Sequence, residues 1–166
     1  MPACLKSERN LMVPDKWTLN LADAIAASLF EFAPQLKETE IVLLQVTCLP
    51  WHGLLGLSIL TAEEFAKDPN LLDPTRTMEW QHGEFTEELQ VWESTTPLAQ
   101  EMRAIYERSS DRPAMAIEFL QACARAAETS LVANALSGLK RTDEFRISVP
   151  HPDNHREFFR LEKEPE

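Results

Sequence analysis

The chain has 166 residues, 44% of them apolar and 26% charged, which suits a single globular domain with a core of its own. Its formal net charge is −11. That acidity disfavours a nucleic-acid partner, because phosphates are held by Lys/Arg surfaces, and no apolar run is long enough for a membrane span.

Residues 1–16 read as a loose arm, with Pro2 and Pro14 flanking no clear periodicity. They contain no secretory apolar region, so the cytoplasm is the expected location. A helix is predicted from about Trp17 to Phe32, capped by Thr18 or Asn20. Its stripe is Leu21, Ile25, Ser28, Leu29 and Phe32. Pro34 ends it.

The most hydrophobic stretch is Ile41–Leu60. Ile41, Val42, Val46 and Thr47 are β-branched, which favours a strand. Val42, Leu44, Val46 and Cys48 make one wholly apolar face. Ile41, Leu43, Gln45 and Thr47 make the other, which is expected to be partly covered. The break at Pro50, Trp51, His52 and Gly53 is short. Leu54–Leu60 should therefore return antiparallel, since a parallel return needs a crossover of a dozen residues or more. Gly56 suggests a bulge or a close backbone approach.

Thr61-Ala62-Glu63-Glu64 is a capping-box pattern and starts a short helix to about Lys67. Two Asp-Pro steps, at Asp68 and Asp73, mark an irregular loop. Thr77–Gln81 reads as a third strand, and Thr86–Trp92 fits helix or strand. Thr96 and Pro97 open a helix whose face is Leu98, Met102, Ile105 and Tyr106. Asp111 caps the longest helix, about Arg112–Ser137, with Ile117, Leu120, Ala124, Ala127 and Leu131 as its buried stripe. Gly138 stops it. Phe145–Val149 alternates as a final strand, and Asn154–Leu161 reads as a short helical element. Residues 17–161 then form one domain, and 162–166 a solvated tail. Strands and helices do not alternate regularly. This order predicts an α+β fold, a mostly antiparallel sheet packed on one face by two longer helices.

Several features of this layout resemble a bacterial family known as domain of unknown function 4303. They are the Ile41–Leu60 hairpin, the Met78-Glu79-Trp80 step and the long helix ending near Gly138. The Phe145–Val149 strand, with Asp153 and Phe158 beyond it, completes the likeness. The resemblance implies a small bacterial α+β domain of the kind found beside toxin-immunity genes. It supplies no catalytic residues.

Chemistry-bearing residues are sparse. His151 and His155 are four apart, but Pro152 between them prevents a continuous helix, so the spacing does not make a metal pair. No metal or cofactor is expected, and the protein should bind neither zinc nor duplex DNA. Glu79, His82 and Glu84 form the densest titratable cluster. They would serve as an acid/base site only if one carboxylate were buried against Trp80. Cys4, Cys48 and Cys123 are odd in number and form no CxxC pair, which points to reduced thiols. Trp51 at the turn tip is either an interface anchor or a cap folded back on the hairpin. The leading expectation is a non-enzymatic, acidic interaction domain. It would present Glu84, Glu87, Glu88 and Glu93 to a basic protein, as an immunity-type protein does to a basic toxin. The alternative is a small enzyme built on Glu79, His82 and Glu84.

Overall fold

A computed structural model describes residues 12–69, 92–154 and 156–159. The elements are α1 (Asp15–Phe32), β1 (Ile41–Leu49), β2 (Leu54–Thr61), α2 (Ala62–Lys67), α3 (Thr96–Arg108), α4 (Arg112–Ala127), α5 (Ser130–Ser137) and β3 (Arg141–Ser148). The fold is α+β. Among the described residues no helix is long and apolar enough to cross a membrane. The predicted strand at Thr77–Gln81 lies outside the described residues.

The sheet has the order β2-β1-β3, so β1 is the central strand. β1 and β2 pair antiparallel, as the short turn requires, with Leu44 opposite Ile59 and Val46 opposite Leu57. β3 pairs parallel to β1, with Leu44 opposite Ile147. The sheet is therefore mixed rather than mostly antiparallel. β2 ends and β3 begins at the same end of the sheet, since Thr61 and Arg141 both stand beside Ile41. β3 also begins earlier than its alternating core suggests, because Arg141 already pairs with Ile41.

Of the bulge or close backbone approach expected at Gly56 neither occurs, since Gly56 stands in regular register opposite Thr47 and an added Cβ would meet only the Thr47 side chain, at 3.4 Å. The register shifts instead between Ile41 and Leu43. A shift of one residue exchanges the faces of a strand. Ile41 accordingly joins Leu44, Val46 and Cys48 in the main core, where strict alternation would have placed Val42.

α1, α3, α4 and α5 all contribute to that core. Trp17 ties three of these helices together. Its ring meets Phe119 of α4 edge-on at 5.0 Å, and its indole N–H donates to the Leu98 carbonyl of α3 at 3.0 Å. α1 starts at Asp15, ahead of the expected Trp17, with Pro14 as a cap residue that makes no side-chain bond. Val13 is already buried, so the arm ends sooner than residue 16.

The predicted long helix is two helices. Thr129 interrupts it, and its hydroxyl accepts from the Val132 N–H to cap α5. Its hydroxyl also donates to the Ala126 carbonyl at 2.9 Å, so this one side chain finishes α4 and starts α5. The restart changes the helical phase. Leu120, Ala124 and Ala127 are buried as the stripe requires, but Ile117 is only half-buried and Leu131 is 38% exposed. Gly138 does end α5, in ordinary right-handed geometry rather than the left-handed form. Asp111 caps α4 through the Ala114 N–H. α3 starts at Thr96 itself, so Thr95 takes the cap position, and its hydroxyl bonds back to the Trp92 carbonyl.

The segment after β3 is not helical where described. Pro150 and Glu157 form an antiparallel bridge. The Glu157 carboxylate accepts from the Ser148 hydroxyl and the Val149 N–H.

The capping box at Thr61 is complete. Thr61 accepts from the Glu64 N–H at 3.1 Å, and Glu64 accepts from the Thr61 N–H at 3.0 Å. Thr61→Ala should cost about 0.5–2 kcal/mol, readable as a lower denaturant midpoint with unchanged slope. Glu64→Ala should cost less, because it leaves the Thr61 oxygen in place.

Candidate functional site

The turn between β1 and β2 is the region where structure and the sequence-derived candidates meet. Pro50–His52 forms a 3-10 turn, and Gly53 ends it at φ 60°. That left-handed angle suits glycine. A side chain there would also press on Arg103, with Cδ and Cβ only 3.1 and 3.2 Å from the added carbon. The turn therefore lies close against α3.

Trp51 is half-buried and folds back onto the body of the protein. Its ring centroid lies 6.3 Å from Tyr106, 6.3 Å from His151 and 6.2 Å from His52. Arg112 continues the cluster, its guanidinium carbon 5.9 Å from the Tyr106 centroid. The residues come from four places: the turn, the end of α3, the start of α4 and the loop after β3. Of the two readings of Trp51, the geometry bears on the fold-back one. One part caps the hairpin and the rest stays accessible, with exposed His52 and Arg112 at its border.

On the other side of the turn is a cleft of about 320 Å³, lined by His52, Leu54, Trp92, Thr95 and Gln100 among others. His52 and Trp92 are the chain neighbours of Trp51 and Glu93, but neither of these two predicted interface residues lines the cleft itself. Glu93 is exposed in the short turn before α3. Trp92 is fixed by an indole N–H bond to the Ser28 hydroxyl at 2.9 Å. Glu79, His82, Glu84, Glu87 and Glu88 lie outside the described residues, as does His155.

Other titratable groups are dispersed. Among the described residues no group of three or more His, Cys, Asp or Glu is placed to hold a metal. Cys48 and Cys123 are free and buried. Burial, and then the hydrogen bond and charge of the adjoining Cys123, push the Cys48 thiol well above its ordinary range. The Cys48 thiol also donates to the Met102 sulfur at 3.5 Å. A thiol held neutral in this way is a poor nucleophile.

The second face of the sheet carries a feature that strand alternation could only hint at. Gln45, Thr47, Ser58 and Ser148 are all buried there, beside Leu43, Leu60 and the half-buried Phe65. The Gln45 amide nitrogen donates to the Thr47 hydroxyl at 3.3 Å, while its buried oxygen has no hydrogen-bond partner among the described residues. Turning the amide over would leave the nitrogen unpaired instead, so one end lacks a partner either way.

Sequence reasoning singled out Trp51 but missed Tyr106 and Arg112 beside it. Helical spacing puts Tyr106 on one face with Leu98, Met102 and Ile105. Its half-exposure follows from its place at the last turn of α3, where the turn tip covers only one side of the ring.

No family model, curated protein or solved structure matches the chain.

Proposed function

We propose that this chain is a non-catalytic interaction domain that binds a basic protein, in the manner of an immunity protein neutralising a basic toxin. The observation that carries the reading is the net charge of −11 on a chain whose turn tip offers an aromatic anchor. Trp, Tyr and Arg are the residue types enriched in binding hot spots, and here Trp51, Tyr106 and Arg112 are contiguous. Arg112 stacks on Tyr106, and the nearby Arg103 pairs with Glu107 at 2.8 Å. The Arg103 charge near the anchor is thereby offset within the protein, while exposed Arg112 keeps its own. Glu84, Glu87 and Glu88 precede Glu93 closely in the chain and would supply the acidic surround. The buried thiols Cys48 and Cys123 favour a reducing compartment, so the reading places the protein in the cytoplasm. The immunity-type form rests on the family resemblance of the layout.

The two contributions separate kinetically. Charge steering acts mainly on association and is screened within about 8 Å at physiological salt. An apolar anchor acts mainly on dissociation. A partner captured by the wild-type protein should be tested against Trp51→Ala and against a variant with Glu84, Glu87, Glu88 and Glu93 changed to Gln. Trp51→Ala should raise the dissociation rate by about thirtyfold, as loss of a 2 kcal/mol hot spot does. The Gln variant should slow association and flatten its salt dependence. A partner that associates at a rate independent of salt and of these glutamates would overturn the proposal.

A further inference from the structure

We propose that a second cleft, lined by α5, β3 and Phe159, binds a small amphipathic zwitterion, with an apolar α-amino acid as the type ligand. The cleft lies between α5 and β3 and has a volume of about 560 Å³, within the usual range for small-molecule sites. It shares no lining residue with the cleft beside the turn.

The chemistry of the walls selects the ligand. The floor is apolar, formed by Leu136 of α5, Phe145 and Ile147 of β3, and Phe159. Phe145 and Phe159 pack on the edge of the core but are only half-buried, so an apolar side chain laid against them would remove further surface from water. Two opposite charges also line the cleft, Arg141 and Glu128. Both are exposed, and among the described residues neither makes an ion pair. The Arg141 guanidinium is held 5.5 Å from the Phe145 centroid, which keeps the cation beside the apolar floor. Glu128 is the C-cap residue of α4, and a helix C-terminus itself favours a cation. A carboxylate therefore fits Arg141, an ammonium fits Glu128, and the apolar side chain borne on the same carbon fits the floor. A ligand with only one of these charges leaves the other protein charge without a partner, and one with no apolar body leaves the rings wet.

Titration of the full chain with L-phenylalanine, followed by amide and methyl NMR shifts, tests this. Saturable changes should centre on Leu136, Phe145 and Ile147. The anion 3-phenylpropanoate and the amine 2-phenylethylamine should each bind about tenfold more weakly or worse, the scale of one charge-assisted hydrogen bond, and L-serine, which keeps both charges, should lose about as much through the apolar surface it fails to bury. Arg141→Gln should weaken phenylalanine by a similar factor. Ala133→Phe, placed at an exposed position of α5 lining the cleft, should abolish binding while the thermal midpoint holds. Absence of saturable shifts with phenylalanine overturns the proposal. So does 3-phenylpropanoate binding as tightly as phenylalanine, which would make this a simple anion site, or shifts centred elsewhere.

Discussion

Replacing Trp17 by alanine should lower the unfolding free energy by about 3–5 kcal/mol. The side chain is 1% exposed, so nearly all of its contact area would become cavity. Its position makes collapse of that cavity difficult. α1 supplies the residue, α4 supplies Phe119 edge-on, and α3 supplies the Leu98 carbonyl that accepts the indole N–H. Three helices would have to move together to fill the space. Trp17→Phe provides the control. It keeps most of the apolar area but removes the indole donor, and should cost about 0.5–1.5 kcal/mol beyond any packing loss. Urea titration of the three proteins separates the two effects. A loss below about 1 kcal/mol for Trp17→Ala would mean that α1 does not dock through this residue.

The second large effect is expected at the centre of the sheet. Leu44→Ala should cost about 2–5 kcal/mol. Leu44 is fully buried on the central strand, flanked by Ile59 on β2 and Ile147 on β3. Both neighbours are in the same core cluster, so the cavity would open between paired strands rather than at an edge. Backbone pairing prevents those strands from closing in. Leu131→Ala is the useful contrast. Leu131 is 38% exposed, and its replacement should cost well under 1 kcal/mol if the break at Thr129 is real. A comparable loss at both positions would restore the single continuous helix, and a loss below about 1 kcal/mol at Leu44 would count against the strand assignment.

The local features were legible in the sequence because their causes are local. The β-branched residues of Ile41–Thr47 and the short Pro50–Gly53 break specify an antiparallel hairpin, since no other return fits so few residues. Thr61 with Glu64 specifies a capping box through atoms only three residues apart, and Asp111 caps α4 in the same way. The apolar stripe of α4 and the α+β class follow from periodicity alone. Tertiary structure decided what depends on distant partners. β3 could run either way, because the long separation from β2 permits both directions, and the packing of the intervening helices selects the parallel one. Thr129 could sit within a helix, and only its bonds to Ala126 and Val132 make it a boundary. The register shift at Ile41–Leu43 arises from pairing with two strands at once. Trp51 could be marked as special from its place in a turn. That it would meet Tyr106 and His151, fifty-five and a hundred residues away, was set by the packing of α3 and the loop after β3 against that turn.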